Sequence, residues 1–349
     1  MIPWIFSPLQ RSHAGGEELN RGSIVPCHEC PERADFITAA LRDQGFAEPL
    51  APRDHGEQPL LACHDADFVA FLKTAYADWR ASGREGSALP FTFPASGGMA
   101  RRPMTLQNSI FARLGHYCFD VGTPIVGGTW EAAYWSAQTA LTGADLLAEG
   151  VPLAFALCRP PGHHAGRGYY GGYCFFNNAA LAAESLRQAG HAKVAILDVD
   201  YHHGNGTQDI FWQRGDVFYG SIHAEPLTDF PYFCGYADET GAGDGTGATL
   251  NLPLPRGTDW QGYQPALEQM LAATKAHGAT ALVVSLGVDT WYGDPISGFA
   301  LQTEDFTAMG QQLASLGLPT LVVMEGGYAV ADVGKNVANV LRGLAGSSR

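Results

Sequence analysis

Short, continuous apolar runs, each ending in polar or glycine-rich sequence, leave this chain few folds to adopt. They read "VPLAFALCRPPGHHAG", "HAKVAILDVDYHHGNG", "DVFYGSIHAEP", "ATALVVSLGVDTWYGDP" and "LPTLVVMEGGY". A strand with one wet face alternates apolar and polar residues; these runs do not, so both of their faces must be covered. Between them, Asn178–Ala189, Gln264–Ala276 and Phe306–Leu316 are rich in alanine and leucine at helical spacing. Strands alternating with helices predict an α/β fold: an open, mostly parallel sheet with helices on both faces. In such sheets ligands bind beyond the carboxyl ends of the strands. Every reactive cluster of the chain falls there.

At 349 residues, 46% of them hydrophobic, the chain can bury a sizeable core. No linker, repeat or low-complexity tract divides it, which predicts a single catalytic domain over 1–349. An irregular insertion at about 90–119 (Pro90–Phe119) suits a surface excursion or an oligomer contact. The formal net charge of −14 argues against a nucleic-acid partner. No apolar run approaches the ~18 residues of a membrane span, and "MIPWIFSPLQR" lacks the basic start and apolar stretch of a signal peptide. The expected location is therefore cytoplasmic. Seven cysteines without framework spacing read as reduced thiols. Cys27 and Cys30 form a CxxC, but no second pair completes a zinc site and no βαβ pattern frames a redox motif.

The run "KVAIL" leads straight into Asp198, Asp200, His202 and His203. Strand side chains alternate faces, so Asp198, Asp200 and His202 share one side. Two buried carboxylates repel each other and lose hydration, at a cost of several kcal/mol each unless a cation compensates. A divalent metal meets that need, with Asp200 and His202 as ligands and Asp198 one step back. Catalytic zinc takes three protein ligands and keeps one open position; Asp289, closing another apolar run, is the candidate third. Capping carboxylates and one satisfied core histidine are the plainer alternative, and too many such residues stand at strand ends for it to account for. "PGHHAG" places His163 and His164 side by side: one can act as general base and acid, and the other needs a carboxylate, for which Asp198 is free. Tyr328 in "MEGGY" can donate to an oxyanion as a carbonyl is attacked.

In order and spacing, "RPPGHHAG", "GGYCFFNNAA", "ILDVDYHHGNGTQDIF", "SLGVDTWYGDP" and "MEGGY" closely resemble the histone deacetylase superfamily, and within it the bacterial acetylpolyamine amidohydrolases. The resemblance spans nearly the whole chain and implies an arginase–deacetylase type of sheet. It implies Asp200, His202 and Asp289 as zinc ligands, with iron(II) or cobalt as other ions such a site accepts. It also implies His164 as general base and acid, His163 beside it with Asp198 as carboxylate partner, and Tyr328 as the carbonyl-polarising group. Tyr173 and Phe230 become tunnel walls and Ile296 a residue at the mouth, with Gly172 and Asp120 completing the substrate-binding set. A structural potassium is implied near Asp198, Asp200, His202 and Ser221. The partners so implied are a small N-acyl amine and, through the insertion, a second copy in a homodimer.

Two departures stand out. Histone deacetylases usually carry an aspartate where this chain has Asn205, which predicts a less basic His164. Relatives that cleave acetylpolyamines carry acidic residues in the insertion, whereas Pro90–Phe119 contains Arg101, Arg102 and Arg113 and no carboxylate. Asp120, Glu17, Glu18 and Glu225 are the acids available to replace them. The predicted reaction is removal of an acyl group, acetyl first, from a small amine such as an acetylpolyamine. Amidase action on neutral or xenobiotic amides and acetyl-lysine deacetylation are the alternatives. A binuclear manganese ureohydrolase lacks its second aspartate here, since no acid follows Asp289 until Asp294. A nucleotide-binding oxidoreductase would rest on "GDGTGA", which precedes a strand-like run where a helix should start.

Overall fold

The computed structural model describes residues 2–94 and 108–346. Among them nine strands form: β1 Trp4–Ile5, β2 Glu17–Asn20, β3 Ser23–Pro26, β4 Leu153–Ala156, β5 Val194–Asp198, β6 Val217–Ala224, β7 Thr249–Leu254, β8 Ala281–Leu286 and β9 Thr320–Met324. The helices are α1 Glu32–Asp43, α2 Ala66–Ala81, α3 Ile110–Tyr117, α4 Thr129–Ala148, α5 Asn178–Gln188, α6 Asn205–Phe211, α7 Trp260–His277, α8 Asp305–Ala314 and α9 Val330–Gly346.

Seven strands form one sheet in the order β1-β4-β9-β8-β5-β6-β7, and every pairing in it is parallel. β5, β6, β8 and β9 are buried at every residue. Their alternate side chains feed two separate cores. Val194 and Ile196 of β5, with Val283, Leu321 and Val323, pack beneath α4 and α5. Ala195, Leu197, Leu282, Val284, Val322 and Met324 pack against α7, α8 and α9. Two apolar faces explain why the strand runs show no polar alternation.

β2 and β3 make a separate antiparallel hairpin, whose polar "EELN" carries no strand period that the sequence reading detected. "GDGTGA" forms a single 3-10 turn, Gly243–Gly245, and leads into β7 rather than a helix. Of the insertion, Arg101 and Arg102 lie outside the described residues. Arg113 on α3 pairs with Asp78 at 2.7 Å and lies over the Phe71 ring, 5.8 Å from its centroid. Among the described residues no helix is long and apolar enough to cross a membrane.

Candidate active site

Four adjacent strands deliver their following loops to one place: β4 to His163 and His164, β5 to Asp198–His202, β8 to Asp289, and β9 to Tyr328. β5 stops at Asp198. The expected pleat sharing of Asp198, Asp200 and His202 therefore does not occur; a turn beyond the strand brings Asp200 and His202 together. The His202 N–H donates to Asp200 Oδ1 at 2.9 Å, closing that turn.

Asp200, His202 and Asp289 are buried, and their donor atoms all lie within 4.8 Å of one another. His202 Nδ1 stands 3.3 Å from Asp200 Oδ1 and 3.0 Å from Asp289 Oδ2. Ligands about 2.1 Å from a tetrahedral zinc are roughly 3.4 Å apart, so the spacing fits such an ion. The remaining carboxylate oxygens are held by backbone: Gly326 N donates to Asp200 Oδ2 at 2.8 Å and Tyr201 N to Asp289 Oδ1 at 2.9 Å. A Cβ at Gly326 would sit 2.5 Å from Asp200 Oδ2, so only glycine allows that approach. Burial and the neighbouring Asp200 push the Asp289 carboxyl up to about 7. Burial opposes the charging of His202, yet its bonds to Asp200 and Asp289 raise it to about 10. The cluster demands positive charge.

His163 and His164 sit with ring centroids 4.0 Å apart and behave oppositely. His163 Nδ1 faces Asp198 Oδ2 at 3.1 Å; burial works against its charge, but Asp198 and Asp200 raise it to about 10. Burial, then the positive fields of His163 and His202, push His164 well below the usual histidine value. His164 Nδ1 meets Asn205 Oδ1 at 2.7 Å, while the same amide's Nδ2 donates to His164 O at 3.3 Å. That orientation puts the imidazole proton on Nδ1 and leaves Nε2 free to accept. Burial also pushes the Tyr328 phenol well above 10, so it keeps its proton.

These groups border a cavity of about 320 Å³. Tyr173, Phe230, Ile296, Gly172 and Asp120 all line it, as do His164, His202, Tyr328 and Glu18. Phe119 stacks on Phe230 with centroids 5.8 Å apart, and the Phe230 ring lies 5.1 Å edge-on from His164. Gly172 has φ +56°, and a Cβ there would strike His164 Cδ2 at 2.3 Å. Glu17 is exposed, and neither it nor Glu225 borders the cavity.

A profile described as "Histone deacetylase domain" matches residues 27–344. The chain belongs to the histone deacetylase family. It is 49% identical over 345 residues to acetylpolyamine amidohydrolase 1 of Pseudomonas aeruginosa, covering 99% of each chain. It is 50% identical to the acetylpolyamine amidohydrolase of Mycoplana ramosa over 98% of this chain and 99% of that one. The crystal structure of the acetylpolyamine aminohydrolase from Burkholderia pseudomallei superposes with TM-score 0.93 at 38% identity, covering 99% of both chains. Membership in this family makes the protein a hydrolase acting on amides and implies a metal cofactor.

Some of this family member's site escaped sequence reasoning. Glu325, fully buried, accepts from Gly162 N at 2.6 Å and His163 N at 3.1 Å, and takes the Ser285 hydroxyl at 3.3 Å. It thus fixes the turn that presents both histidines. Asp294 accepts from Tyr328 N at 2.7 Å and Ile296 N at 3.1 Å, joining the tyrosine to the cavity mouth. Glu29 bridges Arg33 at 3.1 Å and Arg159 at 2.8 Å, all three buried. Arg33 in turn donates to Gly327 O and Glu325 O and lies over the Tyr328 ring, 4.8 Å from its centroid. The available signal was acidic residues inside "HEC", "MEGG" and "YGDP"; nothing local names their partners.

Proposed function

We propose that the chain removes the acetyl group from an N-acetylated small amine of the acetylpolyamine type, with zinc held by Asp200, His202 and Asp289. The observation that carries this is the convergence of those three donors beside His164 and Tyr328 at an aromatic-walled cavity. The full-length likeness to acetylpolyamine amidohydrolases supports the substrate class. Bound zinc polarises a carbonyl and lowers the pKa of water towards about 7.

His164, neutral and with Nε2 open, takes the proton of the attacking water and then passes it to the departing amine. Asn205 keeps that imidazole in the required tautomer. Tyr328 donates to the oxyanion that develops on the carbonyl. His163, charged against Asp198, holds positive potential beside His164 and keeps it unprotonated between turnovers. Tyr173 and Phe230 confine the acyl group, and Asp120 supports the Gly172 backbone at 2.6 Å.

A structural potassium belongs to the same reading. Asp198 stands directly opposite Ser221 in the β5–β6 register, which supports a site shared with the Asp200 and His202 segment. A homodimer formed through residues 90–119 is the expected assembly, and light scattering at assay concentration tests it.

Assays of acetylputrescine, acetylcadaverine, acetylspermidine, an acetyl-lysine peptide and neutral anilides, with and without chelator, test the activity. The small amines should exceed the peptide, and activity should vanish with the metal and return with zinc. Full activity after exhaustive demetallation rejects the proposal, and peptide turnover equal to that of the small amines rejects its substrate class.

A further inference from the structure

The rim of the cavity carries a charge that the reaction does not use. β2 and β3 are joined by a two-residue loop, Arg21–Gly22, between the paired Asn20 and Ser23. Both loop residues have positive φ, +49° and +87°. That is the habit of a I′ hairpin turn, whose first central position favours asparagine, aspartate or glycine. Arginine there accepts backbone strain, and such outliers gather at ligand clamps. Arg21 is exposed and lines the cavity, and no described residue pairs with its guanidinium.

The carboxylates of the same cavity are differently placed. Glu18, three residues back along β2 and therefore roughly 10 Å away along the strand, is buried. It accepts from the Tyr173 hydroxyl at 2.8 Å, Asn20 Nδ2 at 3.2 Å and His28 N at 3.4 Å. Asp120 is half-buried and accepts from Gly172 N at 2.6 Å, Gly122 N at 3.1 Å and the Thr123 hydroxyl at 3.2 Å. Negative charge thus stands along the wall, already hydrogen-bonded, and one unpaired positive charge stands at the rim.

We propose that Arg21 is a specificity-determining residue that sorts N-acylated amines by the charge at their distal end, disfavouring a second ammonium and favouring a carboxylate. The inference rests on the amide-hydrolysis reading above and narrows its substrate class. An N-acetylated diamine brings one ammonium, which lies beside Glu18 and Asp120. A tri- or tetra-amine extends a further ammonium to the rim, where it meets Arg21. An N-acetylated ω-amino acid as long as the triamine presents a carboxylate there instead and finds a planar partner with free donors.

The test compares wild type with Arg21→Asn and Arg21→Asp, both of which tolerate the positive φ. Substrates are acetylputrescine, acetylspermidine, N-acetyl-8-aminooctanoate, whose carboxylate reaches as far as the distal ammonium of acetylspermidine, and the neutral N-butylacetamide. Each kcat/KM is divided by that for N-butylacetamide, so a general loss of activity cancels. Two opposed charges about 4 Å apart in water are worth roughly fivefold, so reversing Arg21 should raise the acetylspermidine ratio about 25-fold. The N-acetyl-8-aminooctanoate ratio should fall comparably, with Arg21→Asn midway, the change in KM, and the differences shrinking as salt rises. Ratios within about twofold of wild type in both variants, with all substrates turned over, overturn the assignment of Arg21 alone. No turnover of any substrate by the metal-loaded wild type overturns the amide-hydrolysis reading and this inference with it.

Discussion

His164 and Tyr328 border the same cavity, and burial prepares them for opposite tasks. The imidazole is driven neutral and the phenol is driven to keep its proton. In the proposed reaction the Tyr328 hydroxyl matters most when the carbonyl oxygen becomes negative. Tyr328→Phe should therefore lower kcat about 10²–10³-fold while KM moves far less. Steady-state kinetics check this, and an unchanged kcat removes the tyrosine from the mechanism. Asn205 offers His164 Nδ1 a neutral oxygen. A carboxylate in its place favours the imidazolium, so Asn205→Asp should raise the pKa of His164. The acid limb of kcat/KM should then move to higher pH by about one to three units. A pH–rate profile whose acid limb stays put refutes the role given to the amide.

The first turn of α1 and the loop after β9 are locked together by buried charge. Arg33 ties helix α1 to the backbone of Glu325 and Gly327, and Glu29 neutralises Arg33 and Arg159 together. Burial raises the Glu29 carboxyl, but Arg159 and Arg33 outweigh it and hold it below the ordinary glutamate value. Glu29→Gln leaves two guanidinium groups buried without a counter-charge and should cost about 3–5 kcal/mol. Urea unfolding at neutral pH measures this. A folded-state pKa below the unfolded one gives stability that is present above the unfolded value and lost as pH falls through the folded value. The gap between wild type and variant should therefore be largest near neutrality and close on acidification below about pH 4. A gap independent of pH contradicts the charge argument.

Across the whole molecule, two apolar cores clamp the sheet so that four strand ends are held in fixed register. The donor cluster they present is strained without a cation, because Asp200 and Asp289 lie side by side in a dry site. Metal binding should therefore stabilise the native chain. With free zinc at 100 times its dissociation constant the gain is about 2.7 kcal/mol. Thermal unfolding of protein verified as metal-free should show a lower Tm, restored by one zinc per chain. Identical melting with and without bound metal contradicts the proposed ligands.

The apolar runs were enough to specify a parallel sheet sheathed by helices, because period and composition are local properties of a strand or helix. They also singled out Asp200, His202 and Asp289, the donors proposed for the metal, since these are conspicuous wherever a buried run ends in charge. The pleat argument for Asp198, Asp200 and His202 did not hold, because β5 ends before Asp200 and His202. Glu18 and Arg21 acquire meaning only through a short polar hairpin with no detectable period. Glu325 and Asp294 were invisible as scaffolding because their partners lie far off along the chain, Gly162 at 163 positions and Tyr328 at 34. Which strand ends become neighbours depends on sheet order, and sheet order follows from covering both apolar faces at once, a constraint that no single segment contains.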